Sequence, residues 1–232
     1  MKREDKTVDI ETGLSLPVTA SSFHLAPQIR FLGLVEYEPI WRAMQQFTAQ
    51  RTADTPDEIW VLQHLPTFTQ GQAGKPEHLL NAHNIPVIKI DRGGQITYHG
   101  PGQVVVYLML DLRRWKINVR ELVRLMEQAV INVLDEFNIT AQGRVDAPGV
   151  YVNDAKIAAL GLKIRNGCCY HGLSLNVDMD TVPFTYINPC GYQGLRVTQI
   201  KDFGVDVSIE EIEQRVAQQL SSLLQSHLKK TF

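Results

Sequence analysis

The feature that most constrains the fold is the apolar run Val104-Val105-Val106-Tyr107-Leu108-Met109-Leu110 inside segment 103–112. A strand with one wet face alternates apolar and polar residues, whereas a run apolar at every position must be covered on both sides. The chain therefore has to place other elements above and below this strand. Three helices are available for that purpose. Tyr37 to Arg51 carries Ile40, Trp41, Met44 and Phe47 at helical spacing. Segment 118–137 opens on Asn118 with Glu121 at the capping-box distance, and Leu122, Met126, Ala129, Val130, Val133, Leu134 and Phe137 form one apolar stripe. Segment 208–230 repeats the arrangement with a Ser208/Glu211 box and an Ile212/Val216/Leu220/Leu223 stripe. It ends on Lys229-Lys230, where the helix dipole favours cations.

Strands account for most of the rest. Glu58 to Leu65, closed by Pro66, and Val87 to Ile90 both read as strands. Two hairpins follow the second helix. Val150-Tyr151-Val152 turns at Asn153-Asp154 into Lys156 to Ile164, and Asn166-Gly167, a favoured type I′ pair, leads on to Cys169 to Val177. The expected class is α+β, a mostly antiparallel or mixed sheet flanked by helices, rather than a regular βαβ series. No Pro/Ser/Gly linker and no internal repeat interrupts residues 29–232, so one domain is expected there. Residues 1–28 are polar, mixed in charge and without periodicity, and read as a loosely ordered tail.

Composition excludes several classes. A formal net charge of −2 gives no whole-chain case for nucleic acid or membrane binding. The N-terminus lacks an apolar h-region, and no window approaches the roughly 18 apolar residues of a membrane span. Three cysteines, two of them adjacent at Cys168 and Cys169, make neither a disulfide framework nor a metal knuckle. A reducing, cytoplasmic setting is expected. There a retained cysteine is more often catalytic than cross-linked.

Cys190 stands apart from the other two, in Ile187-Asn188-Pro189-Cys190-Gly191-Tyr192. Proline and glycine on either side signal a bent, surface-reaching backbone, where a sulfur can meet a substrate and a cationic partner can make it a nucleophile. Loops also hold idle cysteines, so both readings stand. Lys156, in the small and apolar stretch 154–161, either projects from a wet strand face or turns inward, where its ammonium needs a partner such as a thiolate. The stretch 91–103 packs Arg92, Gly93, Gly94, Gln95, Ile96, Thr97, Tyr98 and His99 among turn residues, and reads as a binding wall more than a plain hairpin. His171 is equally a structural or a catalytic strand histidine. Of Cys168 and Cys169, one is expected packed and the other exposed. Arg113, Arg114, Lys116, Arg120 and Arg124 form a basic patch, either a solvated face or a landing place for an acidic partner.

Taken together, the motif RGGQITYHGPGQ, the segment DAKIAALGLKIRNGCCYHGLSLNVDMD and the motif INPCGY resemble the lipoyl(octanoyl) transferase family, in order and spacing, over about residues 31–205. The resemblance implies a biotin/lipoate protein ligase-like fold. It also implies an acyltransferase that moves an octanoyl group from acyl carrier protein to a lysine of a lipoyl domain, the first step of endogenous protein lipoylation. By position, Cys190 matches the acyl-thioester nucleophile and Lys156 the lysine that lowers its pKa. Arg92 to His99 matches the first substrate-binding segment, and Ala159-Leu160-Gly161 and Gly172-Leu173-Ser174 match the other two. The implied partners are acyl carrier protein and the lipoyl domains of 2-oxoacid dehydrogenase E2 subunits and glycine cleavage H protein. Nucleic acid, membrane, cofactor and metal are not expected, and the expected state is a monomer. The chain departs from the pattern at Cys169, where serine is expected and which would add a spare thiol near the site, and in the N-terminal extension.

Two half-reactions follow from that resemblance. Lys156 as ammonium favours the Cys190 thiolate, and later, as a neutral amine, it deprotonates the incoming lysine. Backbone N–H groups near Cys190, or His99, are the candidates for holding the oxyanion. The apolar pocket should fit about eight carbons, each methylene contributing roughly 0.8 kcal/mol. The alternatives are an ATP-dependent lipoate–protein ligase on the same fold, which would not need Cys190, and a lipoyl-domain binding module without turnover. A papain-type hydrolase lacks its Cys-Gly-Ser-Cys-Trp-like signature here.

Overall fold

The computed structural model describes residues 26–189 and 194–230, and all structural statements below refer to these. The expectation of a loose tail falls largely on residues 1–25, outside the described residues. Gln28 already belongs to the first strand. The elements run β1 (Gln28–Val35), α1 (Tyr37–Ala49), β2 (Glu58–His64), β3 (Thr67–Gln70), β4 (Val87–Lys89), β5 (Ile96–His99), β6 (Gln103–Asp111) and α2 (Val119–Asp135). They continue as β7 (Gln142–Gly143), β8 (Gly149–Val152), β9 (Ala155–Arg165), β10 (Cys168–Asn176) and α3 (Ile209–Lys230). Seven strands form one sheet in the order β1-β2-β6-β10-β9-β8-β7, and β4-β3-β5 form a smaller one. The large sheet is mixed: β1 runs parallel to β2 through the α1 crossover, and every other pair is antiparallel.

The apolar run lies where its pattern requires, on β6, between β2 and β10. Val104, Val106, Leu108 and Leu110 point into a core closed by Leu122, Met126 and Val130 of α2 and by Ile212, Val216 and Leu220 of α3. Val105, Tyr107 and Met109 point the other way, against Tyr37, Trp41 and Met44 of α1. Each fully buried aliphatic side chain contributes about 1.5–3 kcal/mol. On α3 the stripe passes through Leu224 rather than Leu223, which is only partly buried at the edge of the core.

Local signals set the element ends. Asn118 Oδ1 accepts from the Glu121 N–H at 3.0 Å, and Glu121 Oε2 accepts from the Asn118 N–H at 2.9 Å, completing the capping box of α2. Ser208 Oγ accepts from the Glu211 N–H at 3.1 Å at the start of α3. Asn166 (φ 51°) and Gly167 (φ 77°) take the positive φ of a type I′ turn, and so do Asn153 (φ 46°) and Asp154 (φ 64°).

The expectations placed on the two adjacent cysteines need correction. Cys168 and Cys169 are both buried, at 5% and 0% exposure, because β10 is covered on both faces. The Cys169 sulfur faces the α2 and α3 side, bonds the Leu108 carbonyl at 3.2 Å, and burial pushes its pKa up to about 12. It is no spare thiol at a site. Within the basic patch, Arg114 is tied to the buried Asp57 carboxylate at 3.0 Å and Arg113 forks onto Asp111, so these two charges are already engaged. Ile96 to His99, the last four residues of the segment read as a binding wall, form strand β5. Among the described residues no helix is long and apolar enough to cross a membrane.

Candidate active site

Lys156 settles inward. It is 5% exposed, in a run of four buried residues at the start of β9, where the pairing with β8 shifts register between Val150 and Tyr151. Its Nζ donates to the Pro148 carbonyl at 3.2 Å and sits 5.3 Å from the centre of the Tyr151 ring. Gly149 makes room for it. A Cβ at that position, where φ is +149°, would stand 2.7 Å from Lys156 Cε. Glu127 lies close enough to feel the ammonium. Burial raises its carboxyl pKa, while the hydrogen bond from the Gly149 N–H and the charges of Arg124 and Lys156 oppose the rise.

Lys156 borders a small pocket together with Thr97, Gln103, Ala159, Ser174, Phe184 and Pro189. Pro189 is the residue before Cys190 in the sequence. Cys190 itself, with Gly191, Tyr192 and Gln193, lies outside the described residues, so the expectation placed on it has no geometry here. Thr97, Ala159 and Ser174 also border a second, larger cleft of about 510 Å³, its mouth included. The two spaces share a wall.

That cleft is bordered by Arg92, Gly94, Gln95, Ile96, Thr97 and His99 from the first segment, and by Ala159-Leu160-Gly161 and Gly172-Leu173-Ser174 from β9 and β10. Gly93 and Tyr98 do not border it. The Gly93 N–H bonds the Leu162 carbonyl at 3.0 Å, joining the loop to β9. Tyr98 faces away, packed on Phe68 and Phe184. Arg92 is held by the Thr69 carbonyl and hydroxyl at 2.8 and 3.0 Å. Gly172 lets β10 approach β6, since a Cβ there would meet the Val106 carbonyl oxygen at 2.1 Å.

Tyr37, Val105, Tyr107 and His171 complete the cleft, and apart from His171 the sequence did not single them out. His171 adopts φ +63° in the middle of a strand, a strained conformation that neighbouring contacts must hold. Its Nε2 meets Asp91 Oδ1 at 3.0 Å, while its buried Nδ1 has no hydrogen-bond partner among the described residues. Asp91 also accepts from Trp41 Nε1 at 2.8 Å, Gln45 Nε2 at 3.0 Å and the Tyr170 hydroxyl. Burial alone would raise this carboxyl, but the four hydrogen bonds outweigh it and hold the group well below the usual carboxylate range.

The imidazoles around the cleft are neutral. Burial lowers His64 to about 4, although its bond to the Val35 carbonyl opposes this. Burial, with help from His64, lowers His99 to about 3. Burial likewise lowers His171 and raises the phenols of Tyr37 and Tyr107. The arrangement is a neutral, mostly apolar cleft with one guanidinium at its side, next to the pocket of the buried Lys156 across a shared wall. It suits an uncharged chain whose reactive carbonyl reaches the lysine.

Residues 36–221 match the family model described as the lipoyl protein ligase A/B catalytic domain. The chain is 62% identical to an octanoyltransferase of Dechloromonas aromatica over 84% of this chain and 96% of the relative. It is 62% identical to an octanoyltransferase of Nitrosomonas europaea over 82% of this chain and 93% of the relative. Among solved structures, it is similar to a lipoate-protein ligase A bound with ATP, with a TM-score of 0.71, 17% identity, and 86% and 85% of the two chains covered. A biotin protein ligase from Aquifex aeolicus gives a TM-score of 0.55 at 13% identity, covering 88% and 72%. At these identities the structural likeness concerns the fold.

Proposed function

The chain belongs to the lipoyl protein ligase A/B catalytic-domain family and, within it, to the octanoyltransferases, and from that premise we propose an acyl transfer through a thioester on Cys190. The donor is octanoyl-acyl carrier protein, and the acceptor is a lysine of a lipoyl domain, as carried by 2-oxoacid dehydrogenase E2 subunits and glycine cleavage H protein. The observation that supports this reading is the buried Lys156, which shares its cavity with Pro189, next to Cys190 in sequence, and a wall with the apolar cleft.

In the first half-reaction the Lys156 ammonium stabilises the Cys190 thiolate. Lowering a thiol by about two pKa units corresponds to roughly 2.7 kcal/mol and makes the thiolate the main species at neutral pH. The thiolate attacks the octanoyl carbonyl, the bond to the carrier sulfur breaks, and the departing thiolate takes the Lys156 proton. Lys156 is then the neutral amine that the second half-reaction requires. The lysine amine of the lipoyl domain attacks the Cys190 thioester, its proton passes to Lys156, and the Cys190 thiolate leaves. The starting state returns. The cleft holds the octanoyl chain, with Ala159-Leu160-Gly161 and Gly172-Leu173-Ser174 as its floor.

The scheme consumes no nucleotide. Octanoyl-acyl carrier protein and a lipoyl domain, mixed with the enzyme in the absence of ATP, should give octanoyl-lipoyl domain, and prior thiol alkylation should stop the reaction. A requirement for ATP together with survival of alkylation would instead mark a ligase.

A further inference from the structure

The buried imidazoles around the cleft have partners that fix which ring nitrogen carries the proton, most completely for His99. Its Nδ1 lies 2.7 Å from Gln103 Oε1. The Gln103 amide has a single orientation, because its Nε2 donates to the Tyr98 carbonyl at 3.3 Å and to Asn176 Oδ1 at 2.9 Å. Asn176 is anchored in turn, its Nδ2 donating to the Thr198 carbonyl at 2.9 Å. Backbone carbonyls only accept, so Gln103 Oε1 is an acceptor and the hydrogen belongs to His99 Nδ1. Nε2, on the other edge of the ring, is left as a lone pair. Among the described residues no group donates to it.

The charged and titratable groups around the ring are Arg92 from the preceding loop, His64 on β2, Tyr37 on α1 and His171 on β10. None offers a stable negative charge that would favour an imidazolium. A neutral ring with a bare nitrogen cannot hold an oxyanion, which needs an N–H, so His99 leaves the list of oxyanion candidates. What this nitrogen can receive is an N–H.

The acceptor substrate brings one. A lysine amine attacking a carbonyl carbon uses its lone pair, and its hydrogens gain positive charge as the bond forms. One proton goes to Lys156, and a second N–H then needs an acceptor. Resting on the acyl-transfer reading, we propose that His99 Nε2 accepts an N–H of the attacking lysine amine and aims its lone pair at the octanoyl carbonyl, with Gln103 and Asn176 as positioning residues that hold the ring in the required tautomer. The N–C bond forms as the C–S bond to Cys190 breaks, the thiolate leaves, and His99 ends the step in the state it began. Placement supports this role. Gln103 borders the Lys156 cavity, and Thr97, two residues before His99 on β5, borders both spaces. The Thr198 N–H bonds the Lys156 carbonyl at 3.0 Å, so the amide chain that fixes His99 is fastened to the strand that carries Lys156.

Long-range 1H–15N correlation spectra of the 15N-labelled full chain at neutral pH should show a protonated Nδ1 and a bare Nε2 for His99. An Nε2–H tautomer there would overturn the inference whether or not any variant folds. Single-turnover rates supply the second arm, with loading from octanoyl-acyl carrier protein compared with transfer from the isolated octanoyl-enzyme to an E2 lipoyl domain. His99→Phe should slow transfer about tenfold more than loading, the scale of one lost hydrogen bond to a charged group. His99→Gln, whose amide oxygen can replace Nε2, should regain much of that loss. Equal slowing of both steps, or slowing of loading alone, would overturn the role of His99. A wild-type enzyme that never loads would overturn the acyl-transfer reading itself.

Discussion

At the scale of single residues, the inward turn of Lys156 depends on a position with no side chain. Gly149 sits at φ +149°, and a methyl group there would press on Lys156 Cε at 2.7 Å and on the Ala158 carbonyl at 2.9 Å. Gly149→Ala should therefore destabilise the fold by about 1–3 kcal/mol, measured by denaturant unfolding, and reduce octanoyl transfer further by displacing the ammonium. Lys156→Ala should impair both half-reactions, because the two steps use the two protonation states of one amine. Its pH–rate profile should lose the limb that Lys156 contributes, and an unchanged profile would contradict the assignment. Part of this was legible in the chain: the isolated Lys156 among small residues and the dense 92–99 segment, most of which borders the cleft. The direction of Lys156 was not, since period-2 alternation predicts a side only while register holds, and the register slips between Val150 and Tyr151. The roles of Asp91 and Tyr37 were also hidden. Asp91 gathers donors from α1 and β10, up to 80 positions away, and no local pattern announces such a meeting.

At the scale of elements, legibility followed the strength of the local signal. β6 and α2 were readable because each presents a long run with one period and, for α2, a capping box. Asn118→Ala removes one arm of that box and should lower stability by about 1 kcal/mol without changing the active-site geometry, which thermal unfolding beside a transfer assay would verify. β1 and β3 escaped notice for a physical reason. β1 is an edge strand exposed along most of its length, and β3 has only four residues. β5 carried a usable signal: Tyr98 faces an apolar cluster while Thr97 and His99 face the cleft, with Ile96 touching both, an alternation obscured by the glycines around it.

At the scale of the whole molecule, burying neutral histidines ties stability to pH. The pKa values of His64 and His99 fall to about 4 and 3 in the fold, from the ordinary value near 6.5 in the unfolded chain. Below about pH 6.5 the unfolded chain binds protons that the folded one refuses, so stability is full above that pH and declines as pH falls toward 4. His64 alone should account for roughly 3 kcal/mol of that decline. Asp91 acts in the same sense at still lower pH, since its folded-state pKa is depressed and its contribution disappears on protonation. Thermal unfolding followed from pH 7 to pH 4 should show this fall, and His64→Phe should flatten it.

Whether Cys190, ionised by Lys156, carries the octanoyl group between two proteins is decided by intact-mass measurement after mixing the enzyme with octanoyl-acyl carrier protein. One octanoyl adduct per chain is expected, mapped by peptide fragmentation to Cys190, lost in Cys190→Ser and discharged by a lipoyl domain. An adduct that persists in Cys190→Ser, or that disappears only in Cys169→Ser, would contradict this role for Cys190.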